Sequence, residues 1–209
     1  MLPSDIPIFP LPNVVLFPHV CLPLHIFEPR YRTMVSDALG GDRVLGMVLL
    51  KEGWEGDYEG RPPVYDVGCA GLISHAERLP DGRYNIVLHG LEKFAVESET
   101  GERPYRIARV RPIVESLPPA AHQLGETRRR LEGLVRQSVE GTCAELRIPD
   151  AISDHELVNT LAQYLPLDAV EKQALLEREG VAARAAALVD LLEMKAILQR
   201  SCHSRSYRQ

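Results

Sequence analysis

Residues 64–111 read VYDVGCAGLISHAERLPDGRYNIVLHGLEKFAVESETGERPYRIARVR, and this stretch decides the fold class. Runs of strand length recur at Val64 to His75, Tyr84 to His89, Phe94 to Glu99 and Tyr105 to Arg111, with turn residues between them. Spacing this close leaves no room for helices and predicts antiparallel strands in a closed or partly closed barrel. Leu79-Pro80-Asp81-Gly82-Arg83 is the hairpin turn: proline presets one φ, and glycine accepts the positive φ that reversal demands. Gly68 and Gly71, inside a strand, predict a bulge or sharp coil of the kind barrel corners need.

Upstream, Val44-Leu45-Gly46-Met47-Val48-Leu49-Leu50 is an apolar run of buried-strand length. Seven of the sixteen prolines precede residue 30. They exclude helix there, so Ile6 to Phe9 and Cys21 to Ile26 are expected as short extended pieces, at sheet edges or broken by bends. Pro29 suits a first helical turn. Tyr31, Met34, Val35 and Ala38 follow at helical spacing, and Gly40-Gly41 supplies the stop. Lys51 to Pro63, KEGWEGDYEGRPP, is glycine-rich and acidic and is expected as a mobile surface loop carrying Trp54 and Tyr58. Those two aromatics are either partner-binding anchors or a cover for a barrel edge.

Downstream of Ser116-Leu117-Pro118-Pro119 the period becomes helical, which places the domain boundary after residue 117. Residues 1–117 form the barrel subdomain and 118–209 a helical bundle. Leu124, Leu131, Leu134, Val135 and Val139 mark one helix. Ser153-Asp154-His155-Glu156 and Asp168-Ala169-Val170-Glu171 are two capping boxes, with Pro166 stopping the first helix and Gly180 the second. A last helix carries the stripes Ala185, Leu188, Leu192 and Leu191, Met194, Leu198 and is expected to fray from Ser201.

Of the 209 residues, 45% are hydrophobic and 25% charged, and the net charge is −5, a balance that disfavours a general nucleic-acid binder. Arg103, Arg106, Arg109 and Arg111 are expected on the solvent side of one strand. Cys21, Cys69, Cys143 and Cys202 form no CxxC pair, so neither zinc nor a redox centre is signalled. No secretory signal and no apolar run of membrane length is visible, which points to a cytoplasmic protein with no membrane partner.

Tests for chemistry are negative. Lys51, Lys93, Lys172 and Lys195 are the only lysines and none follows a glycine, so a Walker A loop is lacking, as is GxGxxG. Ser74-His75 is not a GxSxG elbow, and strand neighbours point to opposite faces. His155-Glu156-Leu157-Val158-Asn159 misses HExxH at the second zinc ligand, and Glu156 reads as the capping acid. His19, His25, His75, His89 and His122 are scattered. No catalytic residue, metal or cofactor is expected.

Ile6-Pro7-Ile8-Phe9-Pro10-Leu11, Val14-Val15-Leu16-Phe17-Pro18 and Leu22-Pro23-Leu24-His25-Ile26-Phe27-Glu28-Pro29-Arg30-Tyr31 together resemble the opening of the Lon protease N-terminal domain. Similar agreement covers Tyr65 to Gly71, Leu79 to Tyr84, His89 to Phe94 and Gln173 to Glu177. The resemblance implies an α+β fold, a PUA-like pseudo β-barrel of mainly antiparallel strands followed by a C-terminal α-helical bundle. It also implies recognition of unfolded or extended polypeptides, with a separate ATPase or protease as a further partner. The chain is expected to act without the ATPase and peptidase domains of Lon, hence as a non-enzyme. Peptide contact is expected at Phe17, Pro18, His19, Glu28, Arg30, Trp54 and Tyr58. The competing structural reading has Phe17 and Pro18 packing the barrel while Glu28 and Arg30 cap and solvate the helix. A small-molecule or RNA reader built on the same barrel is the alternative function.

Overall fold

Strand β3 (Val44–Leu49) is buried at every position, as its unbroken apolar run requires. In this computed structural model, which describes residues 2–58, 60–100, 103–115, 121–139 and 152–206, β3 is a central strand of a six-stranded sheet. The others are β1 (Asp5–Leu11), β2 (Cys21–Ile26), β4 (Val67–Arg78), β5 (Tyr84–Thr100) and β6 (Ile107–Pro112). Their order is β2-β5-β4-β3-β1-β6, and a further β5–β6 pairing closes the last five into a ring. Pairing is antiparallel except between β1 and β3, which run parallel. Helix α1 (Pro29–Leu39) lies between β2 and β3 in the chain and buries Tyr31, Met34, Val35 and Ala38.

The runs expected as two strands, Tyr84 to His89 and Phe94 to Glu99, are one strand of 17 residues, β5. Its first part pairs with β2 and the rest of it with β6, while β4 runs along both. Gly90 lets the strand continue where it meets the Phe17-Pro18 bend. His19 N–H donates to the Gly90 carbonyl at 2.8 Å and Gly90 N–H to that of Val20 at 2.9 Å. A Cβ on Gly90 would overlap the Phe17 carbonyl oxygen. In β4 the expected irregularities occur as register shifts between Cys69 and Gly71 and between Ile73 and His75. The second makes Ser74 a bulge residue, whose hydroxyl donates to the Val87 carbonyl at 3.0 Å. The hairpin turn has Gly82 at φ 82° and closes with Leu79 N–H on the Arg83 carbonyl at 2.8 Å.

The expectation that the proline-rich opening keeps to sheet edges holds for β2 and fails for β1, which lies between β3 and β6. Alternation of backbone N–H groups explains the tolerance. Ile8 N–H donates toward β6, to the Arg106 carbonyl at 2.9 Å, so the nitrogen of Pro7 faces β3 and that of Pro10 faces β6. The β3 register begins only at Ile8, and the β6 register has ended by Pro7. Neither proline interrupts a ladder bond.

The remaining helices are α2 (Ala121–Val139), α3 (Asp154–Tyr164), α4 (Ala169–Leu176) and α5 (Val181–Ser206). Ser153 and Glu156 form the expected capping box: Ser153 N–H donates to Glu156 Oε2 at 3.1 Å and Glu156 N–H to Ser153 Oγ at 3.2 Å. Asp168 N–H likewise donates to Glu171 at 2.8 Å. Gly180, at φ 108°, stands four residues beyond α4 and immediately before α5. The last helix runs through the expected fraying point to Ser206.

The chain divides into two compact units, residues 1–114 with 159–177, and residues 115–158 with 178–209. This differs from a single cut after residue 117, because α4 and most of α3 belong with the barrel. Buried amides explain it. Asn159 donates to the Pro18 carbonyl at 2.9 Å, and Gln163 donates to the Val15 carbonyl at 2.8 Å while accepting from Phe17 N–H at 3.2 Å. Gln173 donates to the Val67 carbonyl at 2.9 Å, and buried Lys93 donates to that of Leu176 at 3.0 Å. In the second unit α2 packs along α5, Arg130 pairs with Glu193, and buried Arg184 pairs with Glu115. The expected boundary Ser116–Pro119 and Cys143 lie outside the described residues, as do the side chains of His122, Leu124, Val139 and Cys202. No helix among the described residues is long and apolar enough to cross a membrane.

Candidate functional site

The seven residues proposed from sequence fall into two groups. Phe17 is fully buried and Pro18 is buried with it, so neither side chain is available to a partner. They belong to the bend that Gln163, Asn159 and Gly90 hold by their backbone atoms. His19 is exposed, takes a left-handed conformation at φ 63°, and lines a cavity of about 450 Å³ with His89, Leu2 and Leu91.

Glu28, Arg30, Trp54 and Tyr58 are brought together. The Arg30 Nε donates to Glu28 Oε2 at 3.0 Å and the Tyr58 hydroxyl donates to Glu28 Oε1 at 2.8 Å, so both carboxylate oxygens are engaged. Arg30 Nη1 also donates to the Tyr58 carbonyl at 3.2 Å. Its guanidinium lies 4.6 Å from the Tyr31 ring centre and 4.8 Å from that of Tyr58, two cation–π contacts that fix its plane. Burial pushes the Tyr31 and Tyr58 phenols up from their ordinary range, and for Tyr58 the bond to Glu28 adds to it. Trp54 meets Tyr58 edge to face, ring centres 5.4 Å apart, and both are half-buried against the barrel core. Within Lys51 to Pro63, most of whose described residues are exposed as expected, a short 3-10 turn (Trp54–Asp57) carries these rings against the barrel. The aromatics cover the barrel, which is the second of the two roles their sequence allowed.

The arginine run also departs from expectation. Arg109 and Arg111 face solvent on β6, but Arg106 is buried, paired with Glu99 and donating to the Pro62 carbonyl at 2.8 Å. Arg103 pairs with Asp37 at 2.6 Å and donates to the Tyr105 hydroxyl at 2.8 Å. Asn159, the residue that breaks HExxH, spends its amide on the Pro18 carbonyl.

A third place was missed by sequence reasoning. Pro23, Leu24 and His25 of β2, His75 of β4 and Asn85, Ile86 and Val87 of β5 line a mostly apolar cleft of about 350 Å³. The ring of Phe27, 61% exposed, stacks on His25 with centres 6.4 Å apart. His25 has Nδ1 2.8 Å from Asn85 Oδ1 and Nε2 3.3 Å from Arg83 Nη1, contacts that fix its ring at the cleft. Only Ile26 of Cys21–Ile26 is buried, although Leu22 and Leu24 are apolar. The open edge of β2 itself is blunted, since Pro23 has no N–H and the Tyr164 hydroxyl donates to the Cys21 carbonyl. Strand addition is disfavoured there, and side-chain docking in the cleft is not.

Residues 5–194 match the family model of the ATP-dependent protease La (LON) substrate-binding domain. A protein named Lon protease 2 from Sorangium cellulosum is 31% identical over 190 residues, 87% of this chain and 23% of its own length. A Lon protease from Flavobacterium johnsoniae is 27% identical over 206 residues, 95% of this chain and 25% of its own. The chain thus spans about a quarter of the length of the curated relatives it matches. Two solved structures share the fold: the N-terminal domain of a Mycobacterium avium complex Lon protease, with a TM-score of 0.64 at 18% identity, and a Lon N-terminal domain protein from Xanthomonas campestris, with 0.58 at 22%. Each covers 90% of this chain, and 98% of each is covered in turn.

Proposed function

Since the chain belongs to the ATP-dependent protease La (LON) substrate-binding domain family, we propose that it is a non-catalytic module that binds unfolded or extended polypeptides and can pass them to a separate ATPase or protease. The observation that carries this reading is the apolar cleft on β2, β4 and β5, with Phe27 exposed beside it. A water-exposed aromatic next to a mostly apolar hollow gains by covering itself with apolar side chains of a partner, and the gain requires no particular partner sequence. That suits diverse clients. The cleft replaces the Phe17-Pro18 bend as the proposed contact surface, because those two side chains are interior.

The test is binding of a permanently unfolded, reduced and alkylated polypeptide, followed by fluorescence anisotropy. Phe27→Ser is expected to weaken binding about tenfold, equivalent to about 1.4 kcal/mol, with Leu24→Asp acting in the same direction. Failure of the unaltered protein to bind at concentrations up to about 100 μM, where the interaction would be worth less than about 6 kcal/mol, would remove the proposal.

A further inference from the structure

Four arginines, Arg30, Arg61, Arg103 and Arg106, line a cavity of about 230 Å³ together with Tyr31 and Tyr105, and no Asp or Glu is among its described lining residues. Such a cluster of cations is unexpected in a chain whose net charge is −5. The carboxylates that hold three of the arginines, Glu28, Asp37 and Glu99, are not among the lining residues. A guanidinium carries five N–H donors in a fixed fork, and these pairings use only part of them. Arg103 bonds through Nη1 alone. Arg30 bonds through Nε and Nη1, and its Nη2 is the one buried side-chain nitrogen or oxygen among the described residues with no hydrogen-bond partner. A buried N–H with nothing to donate to is costly, which marks Arg30 as a guanidinium whose hydrogen-bonding capacity is not fully used. The two tyrosine rings flanking Arg30 hold the fork in place before any ligand arrives.

We propose that this cavity is a binding site for a compact oxyanion, a carboxylate or a phosphate group, held by Arg30 and Arg103. Planar, forked donors match both chemistries, and the cavity's size limits the ligand to a single small anionic group with little attached to it. The site is separate from the cleft proposed for polypeptides, and the inference stands or falls without it.

The test uses the full 209-residue chain. Calorimetric titration with inorganic phosphate is expected to give a dissociation constant of about 1 mM or tighter, weakened about tenfold by Arg30→Lys and by Arg103→Gln. Because Arg30→Lys can disturb the Glu28 and Tyr58 bonds, arginine Nε–H resonances of the unaltered protein are followed by NMR during the same titration, and at least two must shift saturably. Two short peptides alike except for a free or an amidated C-terminus separate the sources: preference for the free carboxylate assigns the site to chain termini, and preference for phosphate over both assigns it to phosphate esters. Absence of saturable shifts with all three ligands at about 20 mM, or equal phosphate affinity in both variants, overturns the proposal. Loss of phosphate binding in Arg103→Gln with unchanged binding of unfolded polypeptide is expected, and keeps the two sites distinguishable.

Discussion

Gln163→Leu is the sharpest test of how the helical segment joins the barrel. The Gln163 side chain accepts from Phe17 N–H at 3.2 Å and donates to the Val15 carbonyl at 2.8 Å, at a site where Gln163 is only 6% exposed. Leucine fills nearly the same volume, so the cavity term is small. What changes is that one buried donor and one buried acceptor lose the Gln163 amide, each costing about 1–3 kcal/mol, for a total of about 2–6 kcal/mol. Trp54, the only tryptophan and packed on the barrel core, reports the unfolding of that unit by fluorescence in urea. The midpoint should fall by about 1–3 M if the slope is near 2 kcal/mol per M and stays unchanged. A loss below about 0.5 kcal/mol, at constant slope, would refute the view that these amides fasten residues 159–177 to the Val15–Pro18 bend.

Gly90→Ala sets a Cβ against the Phe17 carbonyl and should destabilise the barrel by about 2 kcal/mol or more in the same urea assay, with Gly133→Ala, which meets open space, as a neutral or stabilising control. Ser153→Ala removes half of the α3 capping box and should cost about 1 kcal/mol, read as a lower thermal midpoint by circular dichroism. Burial holds the Tyr31, Tyr58, Tyr105 and Tyr164 phenols above their ordinary value of 10.0. A pKa raised by folding stabilises the native state below the unfolded value and ceases to do so as pH climbs through the folded one. Stability should therefore decline above pH 10.0, with native tyrosinate absorbance at 295 nm lagging behind that of the urea-unfolded chain.

Periodicity carried most of the barrel. The Pro80-Asp81-Gly82 turn, the α1 stripe and both capping boxes depend on neighbours within four residues, and such neighbours are visible in a linear chain. Gly90 looked like a strand end because a glycine between two apolar runs usually is one. Only the Phe17 carbonyl, distant in sequence, reveals it as the point where one strand passes a bend. Asn159, Gln163 and Gln173 sit on the apolar faces of their helices, and this was the legible sign that those faces meet backbone rather than other side chains. At the candidate sites, Glu28, Arg30, Trp54 and Tyr58, expected as peptide contacts, meet in one cluster. Phe17 and Pro18 take the packing role that the sequence offered beside peptide contact, a choice composition leaves open because a buried bend and an exposed binding loop have the same proline-rich, apolar composition. Phe27 and the cleft were overlooked because exposure at an apolar position leaves no trace in composition.

The position of β1 in the ring bears on how the protein emerges from the ribosome. Its partners are made later: β3 follows within tens of residues, but β6 ends about 100 residues after β1 does, a delay of roughly 5–20 s at ordinary translation speed. Throughout that interval β1 has to wait with an open side. Pro7 and Pro10, harmless in the finished ladder, break up the row of donors that a stray strand from another nascent chain would need, so the price of threading this early strand into the middle of a sheet is met by the residues that seemed least suited to lie there.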